Sequence, residues 1–277
     1  MTTYALERPA ALPGLLSVGL ARGGIELKQF FRSREQVVFT FTFPAIILIL
    51  LGSIFNGTFE GTGVTAGQVY TASMAGSGII ATSFLNLGIG VAQDRDDHTL
   101  KRLRGAPIPA SAYFIGKIIL VAVASLAEVI VLLAVGMLLF DVELPSSADR
   151  WLTFAWVFVL GTITCSLLGI AVSSMAKSAQ AAAAVVNVPY VALQFVSGVY
   201  IIPITTLPGW MIDIGSLFPV KWVAQGFRSV FLPDSMMSME AAGSWELGKT
   251  ALVLGAWCVI GVVLCLLTFR WTNRKDG

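Results

Sequence analysis

Charge is what this chain has least of. Asp, Glu, Lys and Arg make up 12% of its 277 residues, about half the share of a soluble domain. A water-soluble fold of this size needs a polar skin that so few charges cannot make. The scarcity excludes an ordinary cytosolic enzyme and points to a polytopic membrane protein, in keeping with a mean hydropathy of +0.81. Histidine occurs once, at His98. No His, Cys, Asp and Glu cluster has metal-ligand spacing, and no nucleophile has a base beside it. A membrane-embedded hydrolase or metalloprotease lacks its parts, so no catalytic residue, metal site or cofactor is expected on this chain. The three cysteines, Cys165, Cys258 and Cys265, lie in apolar runs and read as packing residues without a disulfide framework. A net charge of +2 suggests no nucleic-acid partner. Glu7, Arg8, Pro9 and Pro13, with no apolar run at once behind them, do not read as a cleaved signal.

Long apolar runs are what the chain does have. Six are long enough to cross a bilayer, which takes about 20 helical residues. They cover roughly 37–55, 69–91, 113–140, 152–175, 181–202 and 247–269. None alternates with period two as a barrel strand would, and each is apolar nearly all round. The expected fold is therefore an all-α membrane protein: six transmembrane helices, an N-terminal amphipathic interface helix, and a broken re-entrant helical hairpin before the last span. Residues 1–35 form the tail and interface helix, and 36–277 the six-span domain.

The basic residues set the orientation. Arg8, Arg22, Lys28, Arg32, Arg34, Arg95, Lys101, Arg102, Arg104, Lys117, Lys177, Arg270, Arg274 and Lys275 fall on one side. Only Arg150, Lys221, Arg228 and Lys249 fall on the other, together with eight acidic residues. The positive-inside rule then makes both termini cytoplasmic, in a bacterial-type inner (plasma) membrane.

Three segments are not spans. In residues 15–35, Leu16, Leu20, Leu27 and Phe31 recur at helical spacing, with Arg22, Glu26, Gln29 and Ser33 on another side. This amphipathic helix suits the inner membrane surface, as a plain anchor or as a docking surface for a cytoplasmic partner. The loop 93–111 is dense in charge. Leu100 and Leu103 give a short helix an apolar side, and Lys101, Arg102 and Arg104 a basic one, while Asp94, Asp96 and Asp97 suit its N-terminal end. A solvated loop whose charges only set topology is the alternative. In residues 198–232, Pro203, Pro208 and Pro219 cut an apolar stretch into pieces too short to span. Pieces near 209–217 and 220–231 either dip into the outer leaflet and return or lie flat on it, with Trp210 and Trp222 at the outer interface.

Gly243–Thr250 matches the phosphate-binding pattern G-x-x-x-x-G-K-[ST]. It has no strand pattern before it and a membrane span after it, so it reads as a chance match. Glu128 is the only ionisable residue midway along a span, which is thin support for an ion-coupled transporter. It serves as an interhelical hydrogen bond or as a contact to a pathway, roles that Asn187 and Gln194 of the fifth span share. A non-transporting membrane enzyme or assembly scaffold is the other class open at this point.

Three stretches carry a family resemblance. They are Phe31-Arg-Ser-Arg34 followed by FTFPAIILILLGSIF, then DRDDHTLKRLRGAPIPASAYFIGK, then SGVYIIPITTLPGWMIDIGSLFPVKWVAQGFRSVF. In their order, with Pro44, Thr99-Leu100, Pro107, Ser197-Gly198, Leu207-Pro208 and Arg228, they resemble the membrane-spanning permease of ATP-binding cassette (ABC) transporters, type-2 exporter class. His98 stands where that family often has Gly. The resemblance covers nearly the whole chain, and the lack of a large external domain looks most like the drug-resistance and polysaccharide or lipid exporters. It implies a permease that binds no ATP itself and pairs with a second permease copy and two ATP-binding subunits. The coupling helix would be Asp94, Arg95, Asp96, Asp97, His98, Thr99, Leu100, Lys101, Arg102, Leu103 and Arg104. The interface helix would present Arg22, Glu26, Lys28, Phe31, Arg32 and Arg34. Pro203, Pro208, Trp210, Pro219 and Arg228 would shape the outer end of a pathway for an amphipathic or lipid-like cargo.

Overall fold

The computed structural model describes residues 14–55, 57–105, 109–176 and 178–269. Arg8, Pro107, Lys177, Arg270, Arg274 and Lys275, used above, lie outside them. Among the described residues the chain is helical, with one isolated bridge between Thr58 and Thr65 in place of any strand. The helices are α1 (Leu15–Arg32), α2 (Arg34–Ile54), α3 (Ala66–Ile80), α4 (Leu87–Asp96), α5 (Thr99–Arg104), α6 (Ala110–Leu139), α7 (Ala148–Ser173), α8 (Ala179–Val196), α9 (Gly209–Leu217), α10 (Pro219–Phe231) and α11 (Leu247–Thr268). A π-helical turn, Ala81–Asn86, joins α3 to α4 in one rod. Among the described residues six helices are long and apolar enough to cross a membrane: α2, the α3–α4 rod, α6, α7, α8 and α11.

The α3–α4 rod is the centre of the bundle, and every residue of α3 except Gln68 is buried. Its start is fastened by a capping box: the Thr65 hydroxyl accepts from the Gln68 amide, and the Gln68 carboxamide accepts from the Thr65 amide. Lipid tails are as apolar as leucine, so close packing rather than escape from water holds such helices together. Small residues make that packing possible. A side chain at Gly76, Gly161 or Gly226 would run into Ala224, Val223 or Val157, which is how α3, α10 and α7 meet. The outer helices turn apolar side chains outward, with Phe39 of α2, Val188 of α8 and Leu266 of α11 exposed at 72%, 71% and 80%.

The fifth span ends earlier than its apolar run, at Val196, because Gly198 turns the chain with φ +67°. The broken segment then forms α9 and α10, with Pro219 opening α10 where its missing N–H is harmless. Their corner reaches down beside α11: the Trp257 indole donates to the Leu217 carbonyl at 2.7 Å and stacks on Phe218. That is roughly 15 Å along α11 from its start at 1.5 Å per residue. Every residue of α10 is buried. Trp210 is 60% exposed, but Trp222 is fully enclosed and donates to the Ser216 carbonyl. The expectation that Trp222 sits in the head-group layer is therefore corrected. The indole N–H finds its partner in Ser216 of α9, so it needs no water.

Candidate functional site

The charged residues gather at two ends of the bundle. At the first, α1 lies along α6, with Gly19, Gly23, Glu26 and Phe30 turned inward. Side chains at Gly19 and Gly23 would strike Ile115 and Ile119, so the two backbones approach closely. The Leu16, Leu20 and Phe31 side chains stay exposed on another face, as do Lys28, Arg32 and Arg34. Glu26 is thus carried into the protein. It pairs with Arg22 at 2.6 Å and with Lys117 of α6 at 2.8 Å. Lys117 also pairs with Asp94 of α4 at 2.7 Å, and the Tyr113 hydroxyl donates to the same Asp94 oxygen at 2.9 Å. One ammonium therefore bolts three elements together.

The next two residues clasp the α7–α8 link. Arg95 is buried and donates to the Ser173 and Ala176 carbonyls, both at 3.1 Å, where α7 ends. Asp96 accepts the Ala179 amide at 2.5 Å, at the first turn of α8. Asp94 and Asp96 are thus committed to Lys117 and to α8, whereas the sequence reading set them on the dipole of the short helix. Helix α5 follows His98, which adopts a left-handed φ of 58°. Leu100 is buried in a cluster with Leu87, Val91 and Tyr113, and Leu103 packs against it. Asp97, His98, Lys101, Arg102 and Arg104 are exposed, and Thr99 is half-buried. Arg102 donates to the Asp97 carbonyl at 3.1 Å and to the Thr99 hydroxyl at 2.9 Å, which ties the turn to the helix. The result is a short cationic face on an immobilised base.

At the other end Arg228 of α10 is the hub. Its Nε donates to Glu240 Oε1 at 2.5 Å and its Nη2 to Glu240 Oε2 at 3.0 Å. Its Nη1 donates to the Gly198 carbonyl at 2.9 Å and to Ser73 of α3 at 3.3 Å. Both ions are about 95% buried, so only this fork geometry makes the charges tolerable. Arg150 of α7 donates to the Leu232 carbonyl at 2.6 Å, holding the end of α10 to α7.

A family profile described as ABC-2 type transporter matches residues 24–232. The chain belongs to the ABC-2 type transporter family. Similar proteins include one of Bacillus subtilis (strain 168) named as a transport permease, YvfS, 23% identical over 91% of this chain and 95% of that protein. Another, named as transport permease ycf38, is from Porphyra purpurea, 27% identical over 68% of this chain and 65% of that protein. A third, from Escherichia coli (strain K12), is named as multidrug ABC transporter permease YbhR. It is 22% identical over 57% of this chain and 42% of that protein. Membership of the ABC-2 family makes the chain a multi-pass ABC transporter membrane subunit, and implies that ATP is used by a partner subunit. The matched residues run from within α1 to the end of α10, so they include Glu26, Lys117, Asp94 and Arg228 but not Glu240.

The pathway candidates of this ABC-2 subunit differ in exposure. Glu128 is fully buried, and Thr82 of the π turn donates to it at 2.6 Å. Gly78 makes room for the carboxylate, since a side chain there would meet it. Gln194 is fully buried, while Asn187 is exposed and bonds back to the Ala183 carbonyl. The phosphate-loop look-alike begins in a turn at Gly243 and enters α11 at Leu247. Its Lys249 pairs with Glu246 at 3.1 Å. Among the described residues no group of three or more His, Cys, Asp or Glu could hold a metal ion.

Sequence reading missed Lys117 as the centre of the first cluster and Glu240 as the partner of Arg228. A lone Lys just inside an apolar span was the available signal for the first. Nothing local marks the second.

Proposed function

We propose that this chain is the permease subunit of an ABC exporter, moving an amphipathic or lipid-like substrate outward with power from a separate ATP-binding subunit. The carrying observation is the Glu26–Lys117–Asp94 bridge. It joins the amphipathic helix α1, the base of α5 and the span α6, so a push on α5 is transmitted to two transmembrane elements and α1 at once. The Arg95 and Asp96 clasp adds α7 and α8 to the same unit. In this reading the exposed faces of α5 and α1 receive the ATP-binding subunit, and α1 lies in the inner head-group layer. The α9–α10 hairpin enters from the outer leaflet and returns. A second permease copy covers the face of α8 that exposes Val188, Val191 and Phe195 beside the carboxamide of Asn187, a group ill-suited to lipid.

Charge reversal of Arg102 and Arg104 together is expected to reduce co-purification of the ATP-binding subunit, or its transport-linked ATPase activity, at least tenfold while membrane insertion stays normal. Unchanged co-purification and activity would end the coupling role of α5. Topology is tested by cysteine labelling at two exposed positions. Ser235→Cys is expected to react from outside intact cells and Ser111→Cys only after permeabilisation. The opposite pattern would invert the chain.

A further inference from the structure

A cleft of about 160 Å³ opens between α1, α2, α4 and α6. Gln29, Gln36 and Gln93 line its mouth, with Asn86 and Thr82 at its deep end. Gln93 and Thr82 are roughly 16 Å apart along their rod, about half a bilayer's hydrocarbon thickness. Leu87, Gly90, Leu120 and Val121 give the cleft an apolar wall between. It is therefore polar at the mouth, apolar along its middle and polar again at Asn86 and Thr82.

The polar groups it offers are specific. Arg22, Glu26, Lys117 and Asp94 beside the mouth are spent on one another. The carboxamides of Gln29, Gln36 and Gln93 make no side-chain hydrogen bond among the described residues. A carboxamide both donates and accepts, as a hydroxyl does. A phosphate or ammonium would call for an unpaired opposite charge, and the wall holds its charges in closed pairs. We propose that the cleft binds the uncharged, hydroxyl-rich headgroup of a membrane amphiphile, with glycosyl-diacylglycerol the fitting chemistry. The acyl chains then lie along the exposed apolar helix faces, since the volume seats a headgroup and not a whole lipid. This goes beyond the exporter reading and holds whether the amphiphile is cargo or a resident lipid.

The test uses the full chain in nanodiscs of phosphatidylcholine, without nucleotide, titrated with fluorescent diglucosyl-diacylglycerol. Saturable binding is expected, displaced by unlabelled diglucosyl-diacylglycerol and weakened at least tenfold by Gly90→Leu. A side chain at Gly90 meets nothing within 4 Å, so the leucine fills the cleft rather than the protein. Gln93→Leu, at an exposed position, is expected to weaken binding as well and serves if Gly90→Leu does not fold. Equal displacement by phosphatidylglycerol, or unchanged binding in the variants, would overturn the headgroup site. Displacement by free maltose as effective as by the glycolipid would overturn the membrane source. Coupling is not read here, so failure leaves the exporter reading to its own test at Arg102 and Arg104.

Discussion

Lys117→Met is expected to destabilise the protein by about 3 kcal/mol and to abolish most transport-linked ATPase activity. Removing one member of a buried ion pair costs about 3–5 kcal/mol, because the remaining charge stays buried without a partner. Here two carboxylates, Glu26 and Asp94, lose their shared cation. The low end of the range applies because Arg22 still faces Glu26 and Tyr113 still donates to Asp94. Methionine keeps the length and bulk of lysine, so packing of α1 on α6 is preserved and the effect is electrostatic. Adding Asp94→Asn to Lys117→Met is expected to recover most of the thermal midpoint, since Glu26 keeps Arg22 and no buried charge is then left alone. A midpoint and activity for Lys117→Met equal to those of the unsubstituted protein would remove this cluster as the joint between α1, α4 and α6.

Arg228→Met at the opposite end is expected to cost more, about 3–5 kcal/mol. Glu240 has no second cation among its hydrogen-bond partners, and the Gly198 carbonyl and Ser73 lose a donor at the same time. Arg228→Lys is expected to recover less than half of the loss. An ammonium cannot present the planar fork that reaches both Glu240 oxygens while still serving Gly198 and Ser73. The measurement is the thermal midpoint of detergent-purified protein for the two variants and for Glu240→Gln. Equal stability of Arg228→Lys and the unsubstituted protein would show that charge alone, without the fork, holds α10 in place.

The legible parts of this protein are those with a local signal. Six apolar runs announce six spans because a helix in lipid must satisfy its own backbone and needs about 20 residues to cross. Pro203, Pro208 and Pro219 mark the broken segment because each removes a donor. Leu100 against Arg102 and Arg104 marks the two faces of α5. The clusters were not legible, since they join residues far apart in sequence. Glu26, Asp94 and Lys117 read only as an interface-helix acid, a loop acid and a topology charge. Arg95 looked like one more loop cation, yet it caps the end of α7.

The order of apolar and charged residues along the chain determined that it lives in a membrane, how many times it crosses, and on which stretches its charges collect. Those outcomes depend on transfer free energies and helix length, which add up residue by residue. Tertiary structure alone decided which charges are spent inside and which remain for a partner. Arg95 and Arg102 are alike as sequence, but one is buried against the α7–α8 link and the other stays exposed. The same holds for Trp210, left at the surface, and Trp222, enclosed in α10. A side chain's neighbours, and with them its electrostatic role, come from how the helices pack, and no local pattern encodes that.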